Sequence, residues 1–472
     1  MIGAEIKRFE SGSAIANRIA IPPGPSKIRH RMKPSILLLV AALAAAFASV
    51  SAHAGNWAHW RGPQFNGSSP EKNLPDDFSK TNNVKWVAGL PGPSAATPIV
   101  WGDTVFISST DSKTKTLRAL AFNRKTGKEL WSHEITQAFG QDNNSNFASP
   151  SPTTDGKLVY FLYGTGDLVA FDFKGRKVWS RNLEKDYGQF AYQWTYGASP
   201  TLFDGRLYLQ VLNRDVPVHG RGRKDGPIDS YLLALEPKTG KEIWKHVRPS
   251  DAAQESKEAY STPIPFTVKG VSEILISGGD CLTGHDAKTG RELWRWGSWN
   301  PTRIGHWRLV PSPVGTETGA VVCAPKGEPV FTVKHGLKGN LDDSALAWTS
   351  AEREVSSDVS TPLYYQGRLY ILNGEKRTIA RVDPATGKPD WIGDLNSRIK
   401  IESSATAADG KIYFQNFKGE VFIVAAEKEF KLVRTIPMGD DGDDRLRAAI
   451  ALADGNLFIR TGSKLYCIGR GK

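Results

Sequence analysis

The chain has 472 residues and a formal net charge of +12, from 61 Lys and Arg against 49 Asp and Glu. Its first 54 residues hold seven of these cations and two of the acidic residues, so the remainder is only moderately basic. The charges of that remainder are interspersed, whereas nucleic-acid-binding surfaces show clustered Lys and Arg. The composition therefore argues against a nucleic-acid partner.

The N-terminal segment, residues 1–54, has the pattern of a cleaved signal peptide. Four cations between Lys27 and Lys33 precede an apolar run at 35–48, and Ala52-His53-Ala54 matches an A-x-A cleavage site. The run is shorter than the roughly 20 residues of a spanning helix, and no comparable run follows. We expect cleavage near Ala54, no membrane span, and a periplasmic or secreted mature protein of residues 55–472. Met32, directly before Lys33, is a candidate for the true start.

One repeated element pairs a Thr-Gly step with a Trp. Residues 121–131 read Ala-Phe-Asn-Arg-Lys-Thr-Gly-Lys-Glu-Leu-Trp, close copies stand at 234–244, 284–294 and 380–391, and degenerate copies end at Trp179 and Trp348. The Gly predicts a tight turn, because it tolerates the positive φ that such turns need. The Trp is best explained by packing between neighbouring units.

A second element precedes each copy of the first. A small residue followed by Pro leads through a turn into an alternating apolar strand, as in Ala198-Ser-Pro with Asp204-Gly-Arg-Leu-Tyr. An Asp-Gly step between alternating apolar residues is a strong hairpin signal. Each unit therefore begins as strand, tight turn, strand.

The repeats predict an all-β, eight-bladed β-propeller. Units of about 42 to 63 residues with four short strands are typical of propeller blades, and no unit contains a useful helix-period stretch. The last unit is one strand short, and the segment Asn83-Val-Lys-Trp86 supplies a strand that completes this blade and closes the ring as a single domain. The units start near Pro98, Pro150, Pro200, Pro263, Pro313, Pro362, Ser404 and Ala449.

No metal site is predicted. The three cysteines, Cys281, Cys323 and Cys467, fall in predicted strands, and no C-x-x-C spacing or His-Cys cluster suggests zinc. The acidic loop 440–444 lacks the spacing of a calcium-binding EF-hand, which favours a solvated turn.

The Ala-x-Asp-x-x-Thr-Gly-Lys-x-x-Trp pattern resembles the tryptophan-docking motif of pyrroloquinoline-quinone (PQQ) repeat propellers. The opening segment, Trp57-Ala-His-Trp-Arg-Gly-Pro-Gln-Phe-Asn-Gly67, also resembles the start of many bacterial secreted members. The resemblance covers nearly all of the chain after residue 54 and implies the quinoprotein-dehydrogenase-like propeller fold. It does not by itself decide function, because the motif is structural.

The resemblance leaves two functions open. Some members are PQQ- and calcium-dependent alcohol dehydrogenases, and others resemble BamB, the propeller subunit of the outer-membrane barrel assembly machine, which binds proteins and no quinone. The dehydrogenases typically carry adjacent cysteines beside the quinone, and this chain has no such pair. We expect a monomeric, BamB-like, non-catalytic binding or scaffold protein for a protein or envelope component, with no cofactor assigned. The alternative is a quinoprotein dehydrogenase that oxidises an alcohol or sugar through PQQ and calcium.

The longest segments outside the repeat predict a binding face. Links between blades, and loops between the second and third strands of a blade, open on the same face of a propeller. Residues 296–308 concentrate three Trp, two Arg and one His in such a link, and aromatic and Arg side chains suit recognition surfaces. Packing of this link on itself is the alternative. The candidate ligand- or partner-binding residues are Trp194, Arg223, Trp299, Arg303, His306 and Trp307.

Overall fold

The alternating apolar residues of the repeat form eight antiparallel sheets of four main strands, which confirms the eight-bladed β-propeller. The structure, a computed structural model, describes residues 55–140, 142 and 145–471; the predicted signal peptide lies outside them. In each blade the strands run a, b, c and d from the channel outwards. The a strands of the first and last blades contact each other, as do those of blades 2 and 3, 6 and 7, and 7 and 8, so the ring is closed.

The first strand, β1 (Val84–Gly89), is the d strand of blade 8. Blade 1 contains β2 (Ile99–Trp101), β3 (Thr104–Asp111), β4 (Thr116–Asn123) and β5 (Glu129–Thr136). Blade 2 contains β6 (Thr153–Thr154), β7 (Leu158–Leu162), β8 (Asp167–Asp172) and β9 (Lys177–Asn182). Blade 3 contains β10 (Thr201–Phe203), β11 (Arg206–Val211), β12 (Tyr231–Leu235) and β13 (Glu242–Val247). Blade 4 contains β14 (Ile264–Val268), β15 (Val271–Gly278), β16 (Cys281–Asp286) and β17 (Glu292–Trp296).

Blade 5 contains β18 (Val314–Gly315), β19 (Gly319–Cys323), β20 (Val330–Lys334) and β22 (Leu346–Thr349). Its insertion strand β21 (Gly339–Leu341) pairs in parallel with β17 of blade 4. Blade 6 contains β23 (Leu363–Tyr365), β24 (Arg368–Asn373), β25 (Thr378–Val382) and β26 (Pro389–Asp394). Blade 7 contains β27 (Thr406–Ala408), β28 (Lys411–Gln415), β29 (Glu420–Ala425) and β30 (Leu432–Pro437). Blade 8 contains β31 (Ala451–Ala453), β32 (Asn456–Arg460) and β33 (Lys464–Gly469) with β1.

Helices are short and confined to connections. Among the described residues there is one α-helix, α1 (Leu183–Tyr187), whose N-terminus is capped by the Asn182 side chain. Turns of 3₁₀-helix span Gln254–Lys257, Pro325–Gly327 and Asp343–Ala345. No helix in the described part of the chain has the length and apolarity to cross a bilayer.

The repeated Trp holds each blade against the next. The Trp179 indole of blade 2 donates its Nε1–H to Pro237 O of blade 3 at 2.8 Å. Its ring covers Gly240 in the c–d turn, where a Cβ would lie only 2.7 Å from the ring. Five other junctions carry the same Trp-to-carbonyl bond, from Trp86, Trp131, Trp244, Trp348 and Trp391.

The two junctions without this bond lack the turn that accepts it. In blade 5 the insertion at 335–345 replaces the short c–d turn, and Trp294 of blade 4 instead donates to Glu273 of its own blade. In blade 8 the c strand lies at the C-terminus and the d strand is β1, so no chain connects them. Blade 7 has Leu432 in place of the Trp. The Trp-to-carbonyl bond therefore forms only where a short c–d turn follows in the next blade, whether that turn contains Thr-Gly, as at Gly240, or not, as at Glu427.

Ring closure also uses a buried arginine. Arg460 of blade 8 donates from Nη1 to Ser108 O at 2.6 Å and from Nη2 to Gly92 O at 2.9 Å, both in blade 1 or its entry segment. The three cysteines are free and buried.

A segment that we call the floor segment, Trp57–Ser69, crosses the channel at the end that carries the a–b turns. It is anchored to five blades by hydrogen bonds between 2.7 and 3.2 Å. These bonds join Trp57 N to Val100 O, Ala58 O to Thr154 N, His59 Nε2 to Thr201 Oγ1, Arg61 Nη2 to Pro362 O and Arg61 Nη1 to Ala405 O. The opening segment, which resembles the start of secreted PQQ-repeat proteins, thus closes one end of the channel.

His59 in the floor segment is buried as a neutral ring. Arg61 N donates to its Nδ1 at 3.2 Å, so Nε2 carries the proton and faces Thr201 Oγ1. Burial, reinforced by the nearby Arg61 charge, lowers the pKa of His59 to about 3.

Gly240→Ala should lower the free energy of unfolding by about 2–4 kcal/mol, because the methyl group meets the Trp179 ring at a positive φ. Gly205→Ala is the matched control, since Gly205 has the same φ of +70° in the same blade and nothing lies within 4 Å of an added Cβ. Its cost should be about 1 kcal/mol. Urea unfolding measures both variants, and equal losses would contradict the docking.

Stability should decline between pH 6.5 and pH 3 because of His59. Its pKa in the folded chain lies below the usual 6.5, so only the unfolded chain takes up the proton as the pH falls through this window. At pH 4.5 this group should cost about 2.7 kcal/mol. Urea unfolding at pH 7.5 and pH 4.5 should show a smaller acid loss for His59→Gln than for the wild type. Equal losses would show that His59 is not the responsible group.

Candidate functional site

A ring of hydroxyl side chains surrounds the channel where the a strands begin. Each ring residue donates its backbone N–H to the hydroxyl of the next blade's ring residue, as from Thr97 N to Ser151 Oγ at 2.9 Å. Ala449 has no hydroxyl, so seven of the eight junctions carry this bond. In blade order the ring residues are Thr97, Ser151, Ser199, Thr262, Ser312, Thr361, Ser404 and Ala449.

The sequence placed the start of blade 2 near Pro150, and the ring refines this register. The hydroxyl in the ring belongs to Ser151, which precedes Pro152, and not to Ser149. The ambiguity arises because this blade opens with two consecutive Ser-Pro steps.

The central cavity, of about 170 Å³, is lined by the ring and by the residue two positions before each ring residue. Alternate side chains of an extended segment point the same way, which explains this second layer. In blades 1 to 3 the layer is formed by the small residues Ala95, Ser149 and Gly197. In blades 4 to 8 it consists of the larger residues Tyr260, Val310, Val359, Glu402 and Arg447. This second layer is therefore asymmetric, with its charged residues on blades 7 and 8.

Trp60 of the floor segment lines the cavity from below. Its indole Nε1 is buried and has no hydrogen-bond partner among the described residues. The Arg61 guanidinium lies 5.3 Å from the centre of the Trp60 ring. The cavity thus has an aromatic floor with an unsatisfied N–H donor.

Three carboxylates at the cavity mouth, those of Glu402, Glu255 and Asp358, face cations. Glu402 accepts from Arg447 Nε at 2.5 Å and pairs with Lys400 Nζ at 2.8 Å. Arg308 lies between Glu255, at 3.5 Å, and Asp358, at 4.0 Å. These pairs neutralise those three acidic side chains.

Two aromatic side chains at the mouth are held by carboxylates, Tyr260 by the buried Glu258 and Trp194 by Glu255. Tyr260 donates its hydroxyl to Glu258 Oε2 at 2.9 Å and accepts from Trp194 N at 3.1 Å. Arg214 binds the other oxygen of Glu258 at 2.6 Å. Burial raises the pKa of Glu258 to about 7, although Arg214 opposes this rise. The Trp194 indole in turn donates to Glu255 at 2.9 Å.

Of the six predicted binding residues, Trp194 lines the central cavity. Trp299 is buried against Trp296, with ring centres 5.5 Å apart, and Trp307 packs on the same core. His306 is exposed, and Arg303 lies 3.8 Å from Asp280, whose pKa burial raises to about 6. Arg223 pairs with Asp225 at 2.8 Å in the b–c loop of blade 3. In the described part of the chain these five residues do not join the cavity lining, and a binding role for them stays a prediction.

Sequence reasoning missed most of the cavity lining. Tyr260, Glu402 and Arg447 stand two residues before a ring position. Because side chains two residues apart in an extended segment point the same way, the alternation of a strand, continued back from each blade start, would have indicated them. Arg308 was part of the link at 296–308 but was not selected. Trp60 lay in the opening segment, where nothing in the sequence shows that it crosses the channel.

One cluster outside the cavity has metal-ligand atoms close together. Those of His246, His285 and Glu292 in blades 3 and 4 lie within 4.8 Å of one another. Both ring nitrogens of His285 already face protein oxygens at 3.0 Å, and both oxygens of Glu292 bind Arg295 at 2.8 Å. The cluster is therefore better described as a satisfied polar network.

Comparison with known proteins extends these observations. A polyvinylalcohol dehydrogenase from Sphingopyxis sp. is 28% identical over 387 residues, which cover 76% of this chain and 54% of that protein. A tetrathionate hydrolase from Acidithiobacillus ferrooxidans is 23% identical over 334 residues, covering 70% and 51%. The chain thus spans about half the length of the curated relatives it matches.

Similarity in structure supports the same fold. The crystal structure of quinohemoprotein alcohol dehydrogenase from Comamonas testosteroni superposes with a TM-score of 0.61 at 12% identity, over 92% of this chain and 84% of that one. A family model described as outer membrane protein assembly factor BamB matches residues 78–208 and 281–471. Because these ranges span well over half of the chain, the protein belongs to this family of PQQ-repeat propellers.

Proposed function

We propose that this propeller is a non-catalytic binding protein that holds a protein of the cell envelope around the mouth of the central cavity. The binding surface is the face that carries the links between blades and the b–c loops, which we call the link-rich face. The observation that carries this proposal is the pairing of three mouth carboxylates, those of Glu255, Asp358 and Glu402, with Arg or Lys. A mouth built from Arg308, Arg447, Trp194 and Tyr260 has the Arg and aromatic composition of recognition surfaces.

The residues present do not fit a calcium-held quinone. Calcium takes six to eight oxygen ligands, mainly from carboxylates and amides. The described cavity lining contains a single carboxylate, that of Glu402, and no Asn, Gln or Asp. Both oxygens of Glu402 are already paired with Arg447 and Lys400. No catalytic step through PQQ is therefore derived.

An extracytoplasmic location belongs to the same proposal. The description of the matched family as an outer membrane protein assembly factor supports it, as does the signal-peptide pattern of residues 1–54. A dehydrogenase is the alternative, favoured by the name of the Sphingopyxis relative.

Titration of PQQ into the purified protein should give no calcium-dependent heat, and a dye-linked assay should show no alcohol oxidation, because the described cavity lining lacks a calcium ligand set. Isothermal titration with calcium and with EDTA makes the comparison. Calcium-dependent binding with turnover would replace the proposal with the dehydrogenase.

Trp194→Ala should weaken capture of the envelope partner by on the order of ten-fold or more, since aromatic anchors dominate recognition surfaces. Affinity purification from envelope extracts, quantified by mass spectrometry, gives the measurement. Lys241→Ala, in the exposed c–d turn of blade 3 on the opposite face, is the matched control and should capture as the wild type does. Equal capture by both variants would contradict partner binding on the link-rich face.

A further inference from the structure

Arg308 is a largely buried cation whose side chain makes no hydrogen bond to the described residues. Its side chain is 14% exposed and lines the cavity. Its Nη1 is buried without a partner among the described residues, and Glu255 and Asp358 lie at ion-pair distance only, 3.5 and 4.0 Å away. Unsatisfied buried donors are costly, so this guanidinium is suited to an acceptor supplied from outside the chain.

The cavity floor presents a second donor of the same kind. Trp60 Nε1 is buried without a partner, and an indole N–H can only donate. Arg308 is on the link before blade 5, whereas Trp60 is on the floor segment. Two distant parts of the chain therefore bring unsatisfied donors to one cavity.

The hydroxyl ring adds further donors. In the ring bonds each hydroxyl oxygen accepts a backbone N–H, as Ser199 Oγ does from Ser151 and Thr262 Oγ1 does from Ser199. A hydroxyl also carries one proton of its own. In the described residues, none of the seven ring hydroxyls donates that proton to a protein acceptor, so these protons remain available to a ligand.

The single carboxylate of the described cavity lining, by contrast, is occupied, because both oxygens of Glu402 are paired, with Arg447 and Lys400. At the mouth, one oxygen of Glu255 accepts from the Trp194 indole. A cavity that is rich in free donors and short of free acceptors favours a group with several acceptor oxygens and a negative charge.

We infer that the central cavity is a metal-free oxyanion site that takes a carboxylate group between Arg308 and Trp60. The inference rests on the proposed function, because it names the chemical group that the binding face receives. A volume of about 170 Å³ suits a carboxylate with the residue that carries it, and is below the about 300–1,000 Å³ of most cofactor pockets. Trp194 and Tyr260 at the mouth provide aromatic surface for the remainder of that residue.

The test uses the dipeptide acetyl-Ala-Phe with a free carboxylate, its C-terminal amide, and inorganic sulfate. Isothermal titration of each into the purified protein is done at constant ionic strength in EDTA. The free acid should bind saturably at one site and at least ten-fold more tightly than the amide. Sulfate separates the sources of the oxyanion: weaker binding than the free acid indicates a chain-borne carboxylate, and equal binding indicates a free ion. Both results support the site.

Arg308→Gln should weaken binding of the free acid by roughly ten- to a hundred-fold, because it removes the charge-assisted donors. Trp60→Phe keeps the aromatic floor but removes Nε1–H, and should weaken binding several-fold; it keeps the test valid if Arg308→Gln fails to fold. Lys376→Gln, in the b–c loop of blade 6 on the same face but paired with Glu354 at 2.6 Å, is the matched control and should bind as the wild type does.

Four results overturn the inference: no saturable binding, equal affinity for acid and amide, a requirement for calcium, or unchanged binding in both Arg308→Gln and Trp60→Phe. Failure of the proposed function is a separate outcome. If Trp194→Ala abolishes partner capture while Arg308→Gln does not affect it and the free acid does not bind, the binding face stands and the oxyanion site falls. If the free acid binds but Trp194→Ala does not affect capture, the site stands and the protein-binding face falls.

Discussion

At the entrance of the a strand, seven of the eight blades direct one backbone N–H out of their own sheet to an acceptor in the next blade. The hydroxyl of Ser or Thr supplies that acceptor at seven junctions, as between Thr97 and Ser151. Buried backbone donors must be satisfied, so this bond sets the register of each blade against its neighbour around the channel. The ring of hydroxyl residues thereby determines where the cavity lies and supplies its hydroxyl lining.

A second contact between blades operates at the outer edge. Where a Thr-Gly turn follows in the next blade, a Trp covers the glycine and donates to a turn carbonyl, as Trp179 does over Gly240. The exceptions follow from chain connectivity: blade 5 has an insertion in place of the turn, and blade 8 is closed by the two ends of the domain. Inner hydroxyls and outer indoles together hold eight separate sheets in one closed ring.

The floor segment converts an open channel into a cavity. Arg61 is completely buried and is bound by carbonyls of blades 6 and 7, while His59 reaches blade 3. These anchors place Trp60 beneath the hydroxyl ring and leave the link-rich face as the entrance. The charge pairs at that entrance leave donors in excess over acceptors, which separates this cavity from a site that holds calcium through carboxylates.

The sequence alone determined the architecture of this protein. The spacing of Thr-Gly, Trp and Ser/Thr-Pro steps predicted eight blades, and Trp86 correctly indicated that an N-terminal strand completes the last one. Such signals are local, because turns and alternating strands depend on neighbouring residues. The candidate site was predicted less well: Trp194 reached the cavity, whereas Trp299 is buried in the core. Only the tertiary structure brought Trp60, Tyr260, Arg308 and Arg447 together, because residues from different blades converge on the channel through ring closure, which no local pattern records.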